Sequence, residues 1–128
     1  MSATLTPERS AIDPAYTWDL SAIFPSWEAW EAAMADLEQR IGAFKALAGT
    51  LGQSGAALCA ALQAHDAIGQ LSYRVWYYPS LSHDEDQRDN VSAARRQRAS
   101  TVANCSESGA FGSVEGISLP GLAASYAR

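Results

Sequence analysis

Between residues 27 and 48, Trp27, Trp30, Met34, Leu37, Ile41, Phe44 and Ala48 recur at alternating steps of three and four. That spacing places all seven on one stripe of an α-helix and predicts an amphipathic helix over residues 27–48. Ser26, directly after Pro25, is suited to cap its start, and Gly49 to end it. Glu28 and Glu31 sit near the N-terminal amides and Lys45 near the C-terminal carbonyls, as the helix dipole favours. An isolated helix cannot bury such a stripe, so a partner is required, and the stripe reads as core.

A second pattern, Leu58, Leu62, His65, Ile68, Leu71 and Val75, predicts a helix over residues 55–78, thickened at its end by Tyr73, Trp76, Tyr77 and Tyr78. Pro79 is expected to stop it. The connector Gly-Thr-Leu-Gly-Gln-Ser-Gly, residues 49–55, has neither the Lys-Ser/Thr pair of a phosphate loop nor dinucleotide spacing. It reads as a helix break with Ser54 as the new cap, so the two helices are expected to form an antiparallel hairpin. A third helix over residues 83–99 is predicted from Ser82-x-x-Glu85, a capping-box pattern, with acids at its start and Arg95, Arg96 and Arg98 near its end. Its apolar face is thin, consisting of Val91, Ala93, Ala94 and Ala99.

The expected fold is therefore all-α, with flanks of different character. Residues 1–25 hold Pro7, Pro14 and Pro25 and no sustained period, which predicts an extended arm or a set of turns. Tyr16, Trp18, Leu20, Ile23 and Phe24 make that arm too apolar to float free, so it is expected to lie on the helices. Residues 26–99 form the helical domain, and residues 100–128 read as a loop-like or disordered tail. Short strands around Val114 or Ile117 would be marginal there.

Charge and composition remove several function classes. A net charge of −5 disfavours a binder of nucleic-acid backbones, which needs clustered cations. The N-terminus lacks the apolar core of a signal peptide and no run reaches membrane-spanning length, so no membrane partner and a cytoplasmic location are expected. Cys59 and Cys105 give no disulfide framework or repeated metal spacing; Cys59, in an apolar helical context, is expected to be a buried thiol and Cys105 a more exposed one.

Complete catalytic constellations are missing. His65 and His83 are the sole histidines and do not form the H-E-x-x-H pattern in which two imidazoles one turn apart hold zinc. His65 and Asp66 are adjacent on a helix, a spacing that points them to different faces. The run His83-Asp84-Glu85-Asp86 lacks the shaped loop that a hard cation needs and reads as helix-start electrostatics. No serine lies in a G-x-S-x-G elbow. Neither a catalytic residue, a metal ligand nor a cofactor site is assigned to this chain.

The run Tyr16-Thr17-Trp18-Asp19-Leu20-Ser21-Ala22-Ile23-Phe24, followed by a tryptophan-bearing amphipathic helix, resembles the N-terminal region of the oligoendopeptidase F group of zinc metallopeptidases. Ile41 to Lys45, the L-x-x-A-L stretch from Leu58 to Leu62, and the segment Leu71 to Leu81 followed by Asp84-Glu85-Asp86 add to the likeness, with Pro79 where the family usually has alanine. It covers residues 9–98. The resemblance implies a helical cytoplasmic enzyme that cleaves short peptides with zinc bound by a H-E-x-x-H helix in its C-terminal half, which this chain lacks. Zinc is thus expected of a full-length family enzyme, and no cofactor of these residues. The chain is expected to be inactive alone, a truncated N-terminal piece whose tail from residue 100 reflects a shifted frame or early end, or an adapted shortened protein. Trp18, Phe24, Trp27, Trp30, Phe44, Trp76, Tyr77 and Tyr78 are the candidates for structural or interdomain packing, against a missing catalytic domain or another protein surface. The rival reading is a small helical module that binds a protein through its aromatic hairpin.

Overall fold

The computed structural model describes the backbone of residues 7–111 and the side chains of residues 7–104. Three 3-10 turns, Arg9–Ala11, Pro14–Tyr16 and Leu20–Ala22, lead into three α-helices: α1 (Trp27–Lys45), α2 (Gly55–Glu85) and α3 (Asn90–Phe111). The described residues contain no strand and are all-α in class.

Helix α1 begins where the pattern predicts. Ser26 is extended and its hydroxyl accepts the Ala29 amide at 3.3 Å, satisfying one of the free N–H groups of the first turn. Trp30, Met34, Leu37 and Ile41 of the stripe are buried. The helix ends at Lys45, three residues earlier than predicted, and unwinds through turns closed by Leu47 N–H to Phe44 C=O and Thr50 N–H to Leu47 C=O. Gly49, at φ 80°, takes the left-handed conformation that this reversal requires.

Helix α2 corrects the predicted stop at Pro79. It runs seven residues past Tyr78 to Glu85 with Pro79 buried inside it. Proline lacks the N–H that would bond the carbonyl four residues back, here that of Val75. The indole Nε1–H of Trp30 donates to the Val75 oxygen instead, at 2.8 Å and in a buried position. The helix therefore survives its proline because a neighbouring helix satisfies the carbonyl that the proline leaves free. Ser80 adds a bond from its hydroxyl to the Trp76 carbonyl at 2.7 Å.

The predicted third helix is displaced for the same reason. Ser82 and Glu85, read as a capping box, belong to the last turns of α2, and the turn follows at residues 86–89. Asp89 supplies the start of α3, accepting the Val91 amide and the Ser92 hydroxyl. The anticipated apolar face is also rotated. Val91 is 56% exposed, while Ser92 and Ala99 are buried and Val102 packs against the core. Helix α3 extends through Phe111, so the first part of the predicted tail is helical. The remainder, with Val114 and Ile117, lies outside the described residues.

The helices associate pairwise. Trp30 to Val75 ties α1 to α2; Trp76 Nε1–H to the Ser100 hydroxyl, and Ser82 to Ser92, each at 3.1 Å, tie α2 to α3 in an antiparallel register. One core of Phe24, Trp30, Met34, Leu37, Ile41, Ile68, Val75, Tyr78 and Ala99 lies among them.

Candidate functional site

Four of the eight aromatic candidates converge. Phe24, at the end of the arm, meets Tyr78 edge-on with centroids 5.6 Å apart; Trp27 meets Tyr78 at 4.7 Å and Trp30 at 5.7 Å. Edge-to-face geometry is what the ring quadrupoles favour. Trp30 is fully buried and Phe24 and Tyr78 nearly so, and burial raises the Tyr78 phenol above its usual pKa. Arginines from α2 and α3 flank the cluster. Arg95 lies 4.1 Å over Trp27, Arg74 4.9 Å over Phe24 and Arg98 5.9 Å over Trp30. Arg98 also pairs with Glu31 at 2.6 Å, and Arg74 donates to the Ile23 carbonyl at 2.7 Å. The basic run near residue 95, read from sequence as a helix-end feature, thus acts mid-helix as the clasp between α3 and α1.

The other four candidates lie outside that cluster, with Trp76 and Tyr77 edge-on to each other at 5.0 Å. Phe44 sits 6.0 Å from the His65 ring, and Trp76 is half-buried beneath α3. Tyr77 is 45% exposed and stacks on Tyr73, itself 65% exposed, at 6.2 Å. Trp18 is 56% exposed, and its backbone N–H donates to Glu85 at 3.1 Å.

Glu85 is the anchor that sequence reasoning missed. Its side chain is 11% exposed and pairs with Arg9 as well as accepting from Trp18, so one carboxylate holds two points of the arm. Arg88 bridges Glu8 and Asp86, and holds the Asp86 carboxyl below its ordinary range, chiefly by hydrogen bonding. Between these groups opens a groove of about 710 Å³, lined by Glu8, Arg9 and Ile12 on the arm and by the residues around Glu85 and Arg88. The acidic run from residue 84 was assigned to the start of a helix; it ends one helix and latches the arm. No single-element pattern could have shown this, because the partners are about eighty residues apart in sequence, as in Arg88 to Glu8.

No reacting set emerges from these positions. His65 Nδ1 lies 3.7 Å from Asp66, which is 77% exposed. The two side chains approach despite being helical neighbours, but at the open surface. His83 Nδ1 and the Ser72 hydroxyl are buried without a hydrogen-bond partner among the described residues. Cys59 is exposed, contrary to its apolar sequence context, because this part of α2 projects beyond the core; the Cys105 side chain lies outside the described residues. Among the described residues no three His, Cys, Asp or Glu side chains form a group that could hold a metal ion, and no helix is long and apolar enough to cross a membrane.

No family model matches the chain, and no solved structure matches it significantly. It is similar to the group B oligopeptidase PepB of Streptococcus agalactiae serotype III (strain NEM316), with 29% identity over 82 residues. The match covers 64% of this chain and 14% of that protein, so the chain spans about one seventh of the relative it matches; the likeness supports an oligopeptidase-like relationship at the level of a family.

Proposed function

We propose that this chain is the N-terminal, non-catalytic helical part of an oligopeptidase-like protein. The single observation that carries the reading is the partial likeness to the streptococcal oligopeptidase. The described residues add a packed aromatic cluster and an anchored arm, features suited to a structural part. In this reading the peptide-bond chemistry, on short peptides and with a zinc-activated water, belongs to residues outside this chain, and the cytoplasm is its compartment. Tyr16, Trp18 and the Tyr73–Tyr77 stack are exposed aromatic surfaces available to a neighbouring domain.

Sequencing the encoding locus beyond the codon for Arg128 in all frames tests the reading. A H-E-x-x-H-encoding continuation is expected. Its absence, together with hydrolysis of a quenched fluorescent short peptide by the purified chain that a chelator abolishes, would overturn it. The exposed Tyr73–Tyr77 pair equally suits a self-contained module that binds another protein surface, which predicts a sequence without such a continuation and a chain inactive on peptides.

A further inference from the structure

The arm is held in two different ways on either side of Asp19. From Leu20 to Phe24 it is held by burial: Leu20 and Ile23 pack on the core, Phe24 is 5% exposed, and Arg74 both lies over the Phe24 ring and donates to the Ile23 carbonyl. The turn Leu20–Ala22 is closed on itself, since the Asp19 carboxylate accepts from the Ser21 amide and hydroxyl and the Ile23 amide donates to the Leu20 carbonyl. Between residues 7 and 19 nothing is buried. Only Arg9, Ile12 and Thr17 are partly covered, and Ile12 is not among the side chains that pack on the core.

Polar contacts join residues 7–18 to the helices, and they converge. Oε1 of Glu85, the last residue of α2, takes both the Arg9 guanidinium and the Trp18 amide, so one oxygen closes the span between those two points. The span itself is set by two short turns, the second capped by Asp13. Arg88, aligned by Asp86, adds a two-pronged grip on Glu8 at 3.1 and 3.2 Å. That pair is 53% and 74% exposed, where ion pairs contribute little and salt screens them. The hold is therefore concentrated at Glu85, whose side chain is 11% exposed.

We propose that residues 7–18 form a strap that detaches as a unit, with Glu85 as its fastening, Asp19–Leu20 as its hinge and ionic strength as its trigger. Detachment opens the groove between the strap and the α2–α3 turn while the three-helix core stays folded. Residues 7–18 place no apolar side chain in the core, so opening costs the polar contacts at Glu85 and Arg88 and little apolar burial. Salt weakens those contacts and leaves the packing of Phe24 in place.

Amide exchange in the full-length chain tests the strap. Glu85→Gln keeps an acceptor for the Trp18 amide but removes the charge that fixes Arg9; the Trp18 amide should exchange about tenfold faster, with Phe24, Trp30 and Val75 unchanged. Arg9→Gln, which alters no helix, should act in the same direction at Trp18. Raising sodium chloride from about 0.05 to about 1 M should do so in the unsubstituted protein, and less in Glu85→Gln. Unchanged Trp18 exchange in both variants, or a Trp18 amide indifferent to salt, overturns the proposal. An effect of Glu85→Gln without one of Arg9→Gln does so too, since it would be fraying of the end of α2. Equal acceleration at Phe24 and Val75 also overturns it, because residues 7–18 would then unfold with the core.

Discussion

The two halves of α2 carry similar hydrophobic spacing and meet opposite fates. From Ile68 to Pro79 the helix is flanked by α1 and α3, and Ile68, Val75, Tyr78 and Pro79 are buried. From Gly55 to Leu62 only Ala61 is buried, while Leu58, Leu62 and Cys59 are exposed. Apolar periodicity specifies a face, whereas burial needs a second element to cross that face. Helix α1 supplies one as far as Phe44, beside His65, and the chain then turns away through Gly49.

The largest expected effect lies in the packed half. Trp30→Ala removes a fully buried indole, its contact with Trp27 and the donor to Val75, and should destabilise by about 3–5 kcal/mol. Urea unfolding followed by circular dichroism measures it; a loss under about 1 kcal/mol would mean that the two halves of α2 differ less in packing than their burial implies. The role of the indole N–H can be separated from its bulk. Trp30→Phe should leave the Val75 carbonyl buried and unbonded, at a cost of about 1–3 kcal/mol beyond the lost volume. In a Pro79→Ala background the restored helical N–H can take that carbonyl, so the Trp30→Phe penalty should shrink. A double-mutant cycle reads this coupling, and additive losses would show that the tryptophan bond does not stand in for the one that proline omits.

The same pair explains what was legible in the sequence. The stripe of α1, the Ser26 and Ser54 caps and the all-α class follow from local spacing and local hydrogen bonds, and each is found in the structure. The end of α2 is not local. Pro79 is a stop signal by its own chemistry, and only the indole of Trp30, forty-five residues away, cancels it. Once α2 continues, Ser82 and Glu85 lose their role as a cap and α3 must begin later, at Asn90. A single long-range bond thus shifts two boundaries. The aromatic candidates behave likewise: Phe24, Trp27, Trp30 and Tyr78 come together from the arm, α1 and α2, whereas Tyr77 and Trp18 stay outside, and composition does not distinguish them. Candidate chemistry could be read only as an absence of motifs, since the acidic latch at Glu85 draws on partners from the arm.

The two helix caps sharpen the comparison at smaller cost. Ser26 and Ser54 both accept the amide three residues on, at 3.3 and 3.1 Å. Replacing either with alanine should cost about 1 kcal/mol of local helix stability. Ser26→Ala loosens the start of α1, where Trp27 and Trp30 join the core, and should lower the global unfolding midpoint. Ser54→Ala loosens an end with little packed behind it, so its effect should appear as faster amide exchange in residues 58–62 with the midpoint nearly unchanged. Equal shifts of the midpoint would show that the first turns of α2 unfold together with the core, which the exposure of Leu58 and Leu62 argues against.

The smallest effect expected is electrostatic and sits at the α2–α3 turn. Asp86 and Asp89 have carboxyls held below their ordinary 3.8, Asp86 mainly by hydrogen bonds from Arg88 and Asp89 mainly by the Ser92 hydroxyl. A carboxyl with a lowered pKa in the fold favours the folded state when ionised. Its contribution is fully present above the unfolded value near 3.8 and disappears as pH falls through the lower, folded value. Because both groups lie at the surface, salt should weaken the effect. The Arg88 and Val91 amides, which donate to these two carboxylates, report it directly. Their protection should be constant from pH 7 to about 4 and fall below that, while amides around Trp30 and Val75 lose protection only on global unfolding. Asp86→Asn with Asp89→Asn should remove the acid step at the turn. If the step persists in that variant, these two carboxyls are not its source, and the turn is no more sensitive to acid through them than the packed half of α2.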